Sequence, residues 1–343
     1  MTARAVTFES PGVVGFESVE LPVIEHGEML IEVEASAVSP GTELRCLAGL
    51  QPNSVAFPFI PGYALCGTII SLARGNADGS DHKADGLAVG TRVVAGGTVR
   101  ASVNRQWGGH ISHAIAKIEN VVIVPEGCKP QSAALSKLVA IALRGVNVAN
   151  PKFGDKVVVV GLGPIGLLAA RLYGVRGASV LGIDREAARV DLAVRGGLKA
   201  VVASSPLQSL VHAHFGRGAD IVVDATGSSD SLRDSVLCAR DLPWGENRGD
   251  GAKLVVQGSY PDMFSVPYQT AFERELSLHI PRDCTRGDLQ HAVHLVANGF
   301  CAVDDMISWM GDPHHALDAY NLLRGNPSAM TAVFDWRTEA APH

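Results

Sequence analysis

Residues 157–184 read VVVVGLGPIGLLAARLYGVRGASVLGID, and the order of residue types in this stretch decides the fold. Val157, Val158, Val159 and Val160 read as a strand buried on both faces, because an unbroken β-branched run leaves no side for water. Gly161, Gly163 and Gly166 follow as a G-x-G-x-x-G turn. The first glycine permits the tight turn, the second lets a pyrophosphate approach the backbone, and the third lets the helix lie close to the strand. From Pro164 and Ile165 onward, Leu167, Leu168, Ala169, Leu172 and Tyr173 keep helical spacing. The helix N-terminus, with its free amides and positive dipole end, therefore points at the bound phosphates. A second strand, Ser179 to Ile183, ends at Asp184, close to the spacing of about 20 at which an acid accepts hydrogen bonds from the adenosine ribose. Strand, glycines, helix, strand and acid in register predict a dinucleotide site. The Asp184 charge repels a 2′-phosphate and predicts NAD as the cofactor, although Arg185 and Arg189 stand where guanidinium groups pair with that phosphate or serve as solvated helix residues.

A chain of 343 residues exceeds the usual size of one core, so two domains are expected. With 47% hydrophobic residues, 19% charged residues and a formal charge of -6, nothing suggests nucleic acid or an anionic membrane as a partner. The N-terminus opens on a strand-like Ala5-Val6-Thr7-Phe8 with no basic segment before an apolar run, which argues against a signal peptide. Cys46, Cys66, Cys128, Cys238, Cys284 and Cys301 are dispersed without a C-x-x-C pair, and predict reduced, packed thiols of a cytoplasmic protein.

Residues 1 to about 148 carry a β signature. Met29 to Ala37, Gly67 to Ser71, Arg92 to Ala95 and Val121 to Val124 read as short strands between Gly/Pro punctuation, and Arg74 to Gly90 reads as a surface loop. Pro130 to Val148 has helical spacing. Strands are then expected at Val157 to Val160, Ser179 to Ile183, Ala200 to Val202, Ile221 to Asp224, Lys253 to Gln257 and Leu276 to Ile280, with helices between most of them. This alternation predicts an α/β, doubly wound parallel sheet of about six strands. Helices at Asp288 to Ala297 and Pro313 to Leu323 and a strand at Met330 to Trp336 do not extend that pattern. We assign this tail back to the first domain, giving residues 1–148 with 300–343 as one domain and 149–299 as the nucleotide-binding one.

Ile60-Pro61-Gly62, Gly108-Gly109-His110, Asp155 to Val160, the glycine turn and Asp224-Ala225-Thr226-Gly227 occur in the order found in the medium-chain dehydrogenase/reductase superfamily, which the whole chain resembles. The resemblance implies a Rossmann domain beside a discontinuous, β-rich GroES-like catalytic domain, with Thr226 added to the cofactor residues. Gly161-Leu162-Gly163-Pro164-Ile165-Gly166 looks like the alcohol and polyol dehydrogenase branch. Zinc-dependent members hold their metal with Cys in C-G-(S/T)-D, His in P-G-H-E and an acid in A-L-x-E-P-L. Here those segments read Pro40-Gly41-Thr42-Glu43, Pro61-Gly62-Tyr63-Ala64 and Ala134-Leu135-Ser136-Lys137-Leu138-Val139. A proline, a phenol and a cation make a poor zinc site, and residues 91–113, where a structural zinc lobe belongs, contain no cysteine. The paired histidines His110/His113 and His291/His294 are expected to be core or surface residues. Ser39 to Glu43, Pro61-Gly62-Tyr63 and Phe334-Asp335-Trp336 add a looser similarity to bacteriochlorophyllide dehydrogenases. Together these imply a zinc-independent, NAD-linked interconversion of a secondary alcohol and a ketone on a biosynthetic small molecule of the cyclitol, sugar or secondary-metabolite type.

Without zinc another group must take the hydroxyl proton and stabilise the alkoxide. Tyr63 and Lys137 are expected to share that role, with the phenol lowered by about 2 to 3 pKa units from its usual value near 10 by the ammonium. Thr42 is the candidate proton relay or, alternatively, a capping hydroxyl. Glu43 and Arg45 are candidates for orienting substrate or cofactor, or pair with each other. Two other classes stay open: a nicotinamide-dependent C=C reductase, which needs no Lewis acid, and a cofactor-binding protein without net turnover. The resemblance further implies a homodimer or homotetramer built through the edge strand Leu276 to Ile280.

Overall fold

The computed structural model describes residues 1–73, 86–245, 249–260 and 263–338, so most of the loop expected over Arg74 to Gly90 lies outside the described residues. The chain forms two compact units, Met1–Leu138 with Leu289–His343, and Val139–Asp288. Both divisions fall inside helices, α2 (Pro130–Ala149) and Arg286–Ala297, whereas the sequence reading set its boundaries at or beyond helix ends. Periodicity cannot mark where one continuous helix changes the core it serves.

In Val139–Asp288 six strands form one parallel sheet: β1 (Lys156–Val160), β2 (Ser179–Asp184), β3 (Lys199–Val202), β4 (Ile221–Asp224), β5 (Lys253–Val256) and β6 (Ser277–His279), in the order β3-β2-β1-β4-β5-β6. All six lie where the alternation of apolar runs placed them. The strand order reverses between β1 and β4, and in such sheets ligands sit at the strand C-termini beside that reversal. Val157 to Val160 are buried, as a central parallel strand covered on both sides requires.

The other unit is built from two sheets. One pairs Thr2–Ser10 with Val13–Glu20 and, by its other edge, with Phe59–Ile60. The second is seven-stranded and centres on Glu28–Ala37, which pairs with Leu65–Leu72, His113–Lys117 and the C-terminal strand Thr331–Asp335. That last pairing, Val333 opposite Ala37 and Asp335 opposite Ala35, draws the tail into the first core. The parallel strand Ile307–Gly311 beside it was not expected, because Ile307-Ser308-Trp309-Met310-Gly311 is too short and weakly alternating to stand out. Phe8 meets Phe59 and Tyr320 edge to face in this core, and Tyr320 lies tilted against Phe334.

Helix α2 is apolar and long enough to cross a membrane, but 72% of its most apolar window is buried in the fold. It reads as a core helix. All six cysteines are free thiols.

Candidate active site

The glycine turn joins β1 to α3 (Pro164–Val175), with Gly163 as N-cap and no side chain capping the helix. Its three glycines are required for different reasons. A Cβ on Gly166 would sit 1.8 Å from the Gly161 carbonyl oxygen, and one on Gly161 would press on Thr226 at 3.0 Å, so the fold itself demands both. Gly163 has ordinary backbone angles, and its Cβ would meet only Arg189 Nη1, at 3.6 Å. The protein has no need of glycine there; a closely approaching ligand does. The helix end at Pro164 and Ile165, which no side chain caps, suits an anion.

Asp184 closes β2 and is buried. Its Oδ2 accepts from the Leu162 amide at 2.6 Å and its Oδ1 from the Glu186 amide at 2.8 Å, so the carboxylate ties the glycine turn to the second strand. Each oxygen keeps a second acceptor lobe for a ribose hydroxyl. Arg189 Nη1 lies 3.7 Å from Asp184 Oδ2, whereas Arg185 is exposed and faces Glu186. The two arginines are therefore unlike: Arg189 belongs to the cradle and Arg185 to the solvated face.

Sequence reasoning overlooked the neighbour that shapes this corner. Asp224, fully buried at the end of β4, accepts from the Thr226 amide at 3.0 Å and the Thr226 hydroxyl at 2.8 Å, from Ser235 Oγ at 3.0 Å, and from the Tyr260 hydroxyl. Burial, then the Asp224 charge, push the Tyr260 phenol well above its ordinary value, so it remains a donor. Thr226 is thus held by Asp224, with its methyl against Gly161. The acid at a strand end was the available signal.

In the other unit, Pro61-Gly62 and Gly108-Gly109-His110 meet as backbone against backbone. Gly62 has φ +85, and a Cβ there would lie 2.6 Å from the His110 ring. This close approach seats His110, fully buried, with Nε2 at 2.8 Å from Glu43 Oε2 and Nδ1 at 2.8 Å from Ser36 Oγ. A carboxylate only accepts, so Nε2 carries the hydrogen. Trp336 Nε1 donates to Ser36, and the Tyr320 hydroxyl donates to Glu43 at 2.7 Å.

These contacts correct the substrate role considered for Glu43. It is fully buried on helix α1 (Pro40–Leu47), and three groups of the protein hold its carboxylate, the third being the Ser39 amide at 2.8 Å. Arg45 is half-buried on the same helix. His110 is a core histidine as expected, and His291 and His294 are exposed.

Thr42, Tyr63 and Lys137 are brought together. The Tyr63 hydroxyl donates to Ser39 Oγ at 2.5 Å, bonds with the Thr42 hydroxyl, and lies within the field of Lys137. The expected lowering of its pKa is overturned. Burial of the phenol outweighs the Ser39 and Thr42 hydrogen bonds and the smaller pull of Lys137, and pushes it up to about 12. The ammonium acts in the predicted direction, but desolvation wins.

This donor set does not fit a catalytic zinc. Pro40 is the first residue of α1 and has no ligand atom, Tyr63 keeps its proton, and Lys137 is a cation. Among the described residues no three His, Cys, Asp or Glu side chains are grouped to hold a metal.

Residues 164–246 match the family model of zinc-binding dehydrogenases. The chain is 28% identical to D-xylulose reductase A of Aspergillus oryzae over 220 residues, which are 61% of this chain but only 58% of that relative. It is 22% identical to 2-desacetyl-2-hydroxyethyl bacteriochlorophyllide A dehydrogenase of Cereibacter sphaeroides, over 99% of this chain and 100% of the relative. The fold matches that of the short chain alcohol dehydrogenase rspB of Escherichia coli CFT073, solved with NADH, at a TM-score of 0.81 and 20% identity over 97% of this chain and 99% of that one. These likenesses support the resemblance to the medium-chain dehydrogenase/reductase superfamily, and the two cores described above have its Rossmann and GroES-like fold.

Proposed function

We propose that this alcohol dehydrogenase-like oxidoreductase is a member of the medium-chain dehydrogenase/reductase superfamily that interconverts a secondary alcohol and a ketone on a small polyhydroxylated or cyclic biosynthetic substrate, using NAD(H) and no zinc. The observation that carries the reading is the space left over Gly163 beside the buried Asp184 carboxylate, a cradle that a Cβ would fill and that the fold does not itself require. Gly161, Gly163, Gly166, Asp184 and Arg189 would hold the dinucleotide, which when bound supplies a two-electron hydride exchange with the carbinol carbon. The D-xylulose reductase and bacteriochlorophyllide dehydrogenase relatives support the substrate class. The six free thiols support a cytoplasmic setting.

The protein supplies the proton. With its pKa near 12, the Tyr63 phenol is protonated at neutral pH and suited to donate to the substrate oxygen as the carbonyl is reduced. The Lys137 ammonium stabilises negative charge developing on that oxygen, and Thr42 adds a second hydroxyl to the site. Oxidation of the alcohol needs the phenolate and is therefore the high-pH direction. The same protonated phenol also suits a C=C reductase, in which it would protonate the carbon or oxygen left anionic by double-bond reduction.

Titration with NADH and NADPH, followed by turnover of D-xylulose, cyclohexanone and cyclohexenone before and after exhaustive chelation, tests the reading. NADH is expected to bind more tightly, ketones to be reduced, and activity to survive chelation. Asp184→Ser is expected to narrow the cofactor preference by removing the charge that repels a 2′-phosphate. About one zinc per chain with chelator-sensitive activity overturns the zinc-free part. Reduction of cyclohexenone at its double bond alone selects the second class, and binding without turnover a cofactor-binding protein.

A further inference from the structure

Ser39 stands at the N-cap of α1 with extended backbone angles, the position where a serine hydroxyl ordinarily accepts from the helix's first amides. Here it makes no such capping bond. The hydroxyl instead takes the hydrogen of Tyr63 at 2.5 Å, and the Ser39 amide donates to Glu43 Oε1 at 2.8 Å. Glu43 is fixed in turn by His110 and Tyr320, both fully buried. Ser39 itself is only 6% exposed. A buried polar scaffold thus holds the Ser39 hydroxyl against the phenol oxygen that the proposed chemistry uses, beside the Thr42 hydroxyl that also bonds with it.

We propose that Ser39 is the positioning residue of Tyr63: its hydroxyl accepts from the phenol while no substrate is bound, and when the phenol turns its single hydrogen to the substrate oxygen the Ser39 hydroxyl rotates to donate to the phenol oxygen, a bond that strengthens as the proton leaves and the phenolate forms. This rests on the reading of Tyr63 as proton donor. The Tyr63 O–H bond breaks, the substrate O–H bond forms, and Ser39 keeps its own hydrogen while changing only the direction in which it points. A hydroxyl is the smallest side-chain group able to serve as acceptor in one state and donor in the other. Its value lies in the second state, since a hydrogen bond to an anion is about twice as strong as a neutral one.

Ser39→Ala, Ser39→Thr, Tyr63→Phe and the Ser39→Ala/Tyr63→Phe double variant, assayed with NADH and D-xylulose or cyclohexanone, test this. Ser39→Ala is expected to lower kcat about tenfold or more, with KM and NADH affinity within about twofold, and Ser39→Thr to restore most of the loss. The double variant is expected to be no slower than Tyr63→Phe alone. An activity-free measurement runs beside these: the chain has five tyrosines, so ¹³Cζ-tyrosine labelling gives five signals, of which Tyr63→Phe deletes one. Ser39→Ala is expected to move that signal and leave the others. An unmoved signal, an unchanged kcat, or a double variant slower by the product of the two single effects overturns the role of Ser39. If the unmodified chain reduces neither ketone, the proposed function fails and Ser39 loses its role with it. A moved signal with unchanged kcat in Ser39→Ala removes Ser39 alone.

Discussion

Tyr63 is the residue on which the proposed chemistry turns, because the resemblance sets its phenol where zinc-dependent members of the superfamily have a histidine ligand. Burial pushes it up to about 12, and the hydroxyls of Ser39 and Thr42 only partly offset that cost. The consequence for pH has a definite sign. Donation in ketone reduction needs the protonated phenol, so the reductive rate is expected to stay flat from about pH 6 to 10 as far as Tyr63 is concerned. Oxidation needs the phenolate, so kcat/KM for the alcohol is expected to rise about tenfold per pH unit over about pH 7 to 10. That slope should vanish in Tyr63→Phe. Because Lys137 lowers the phenol pKa, Lys137→Ala is expected to weaken oxidation at fixed pH and to cut kcat by about 10² while sparing NADH affinity. Near-full kcat in both variants would make the residues structural.

At the scale of the element, the β1 turn into α3 separates what folding needs from what binding needs. Gly166→Ala places a Cβ 1.8 Å from the Gly161 carbonyl, and the turn must open to admit it. The expected loss is about 3 kcal/mol or more in denaturant unfolding. Gly163→Ala meets only Arg189 Nη1 at ordinary contact distance, from backbone angles any residue adopts. It is expected to change stability by less than about 0.5 kcal/mol and yet weaken NADH binding at least about tenfold. Equal effects of the two substitutions on stability would contradict this division of labour.

At the scale of the whole molecule, β6 ends the parallel sheet, with Leu278 45% and Ile280 62% exposed and Tyr268, Phe272 and Trp244 exposed nearby in the chain or in ring contact. An uncovered sheet edge carrying apolar side chains invites pairing with another strand. We propose that two copies pair here across a two-fold axis, as the superfamily resemblance implies. Light scattering at micromolar concentration is expected to give a dimer or tetramer, and Leu278→Lys to shift it toward monomer; a monomeric unmodified chain ends the proposal.

What the sequence determined by itself was the part governed by local periodicity and backbone sterics. Four β-branched valines, three glycines at fixed spacing and an acid at a strand end leave few alternatives, and the parallel sheet formed where they placed it. The residue types at Pro40, Tyr63 and Lys137 likewise argued against a zinc site before any geometry was available. What only the tertiary structure decided were matters of environment. Glu43 was a candidate for orienting substrate or cofactor and is a buried acceptor, because His110 and Tyr320 come from residues 67 and 277 positions away in the chain. The Tyr63 pKa moved opposite to expectation, since the nearby charge was legible in the sequence whereas the desolvation that outweighs it depends on the atoms packed around the oxygen. The contact of Ser39 was illegible for the same reason: local sequence names the hydroxyl, and only the folded chain shows that its partner is a phenol 24 residues away.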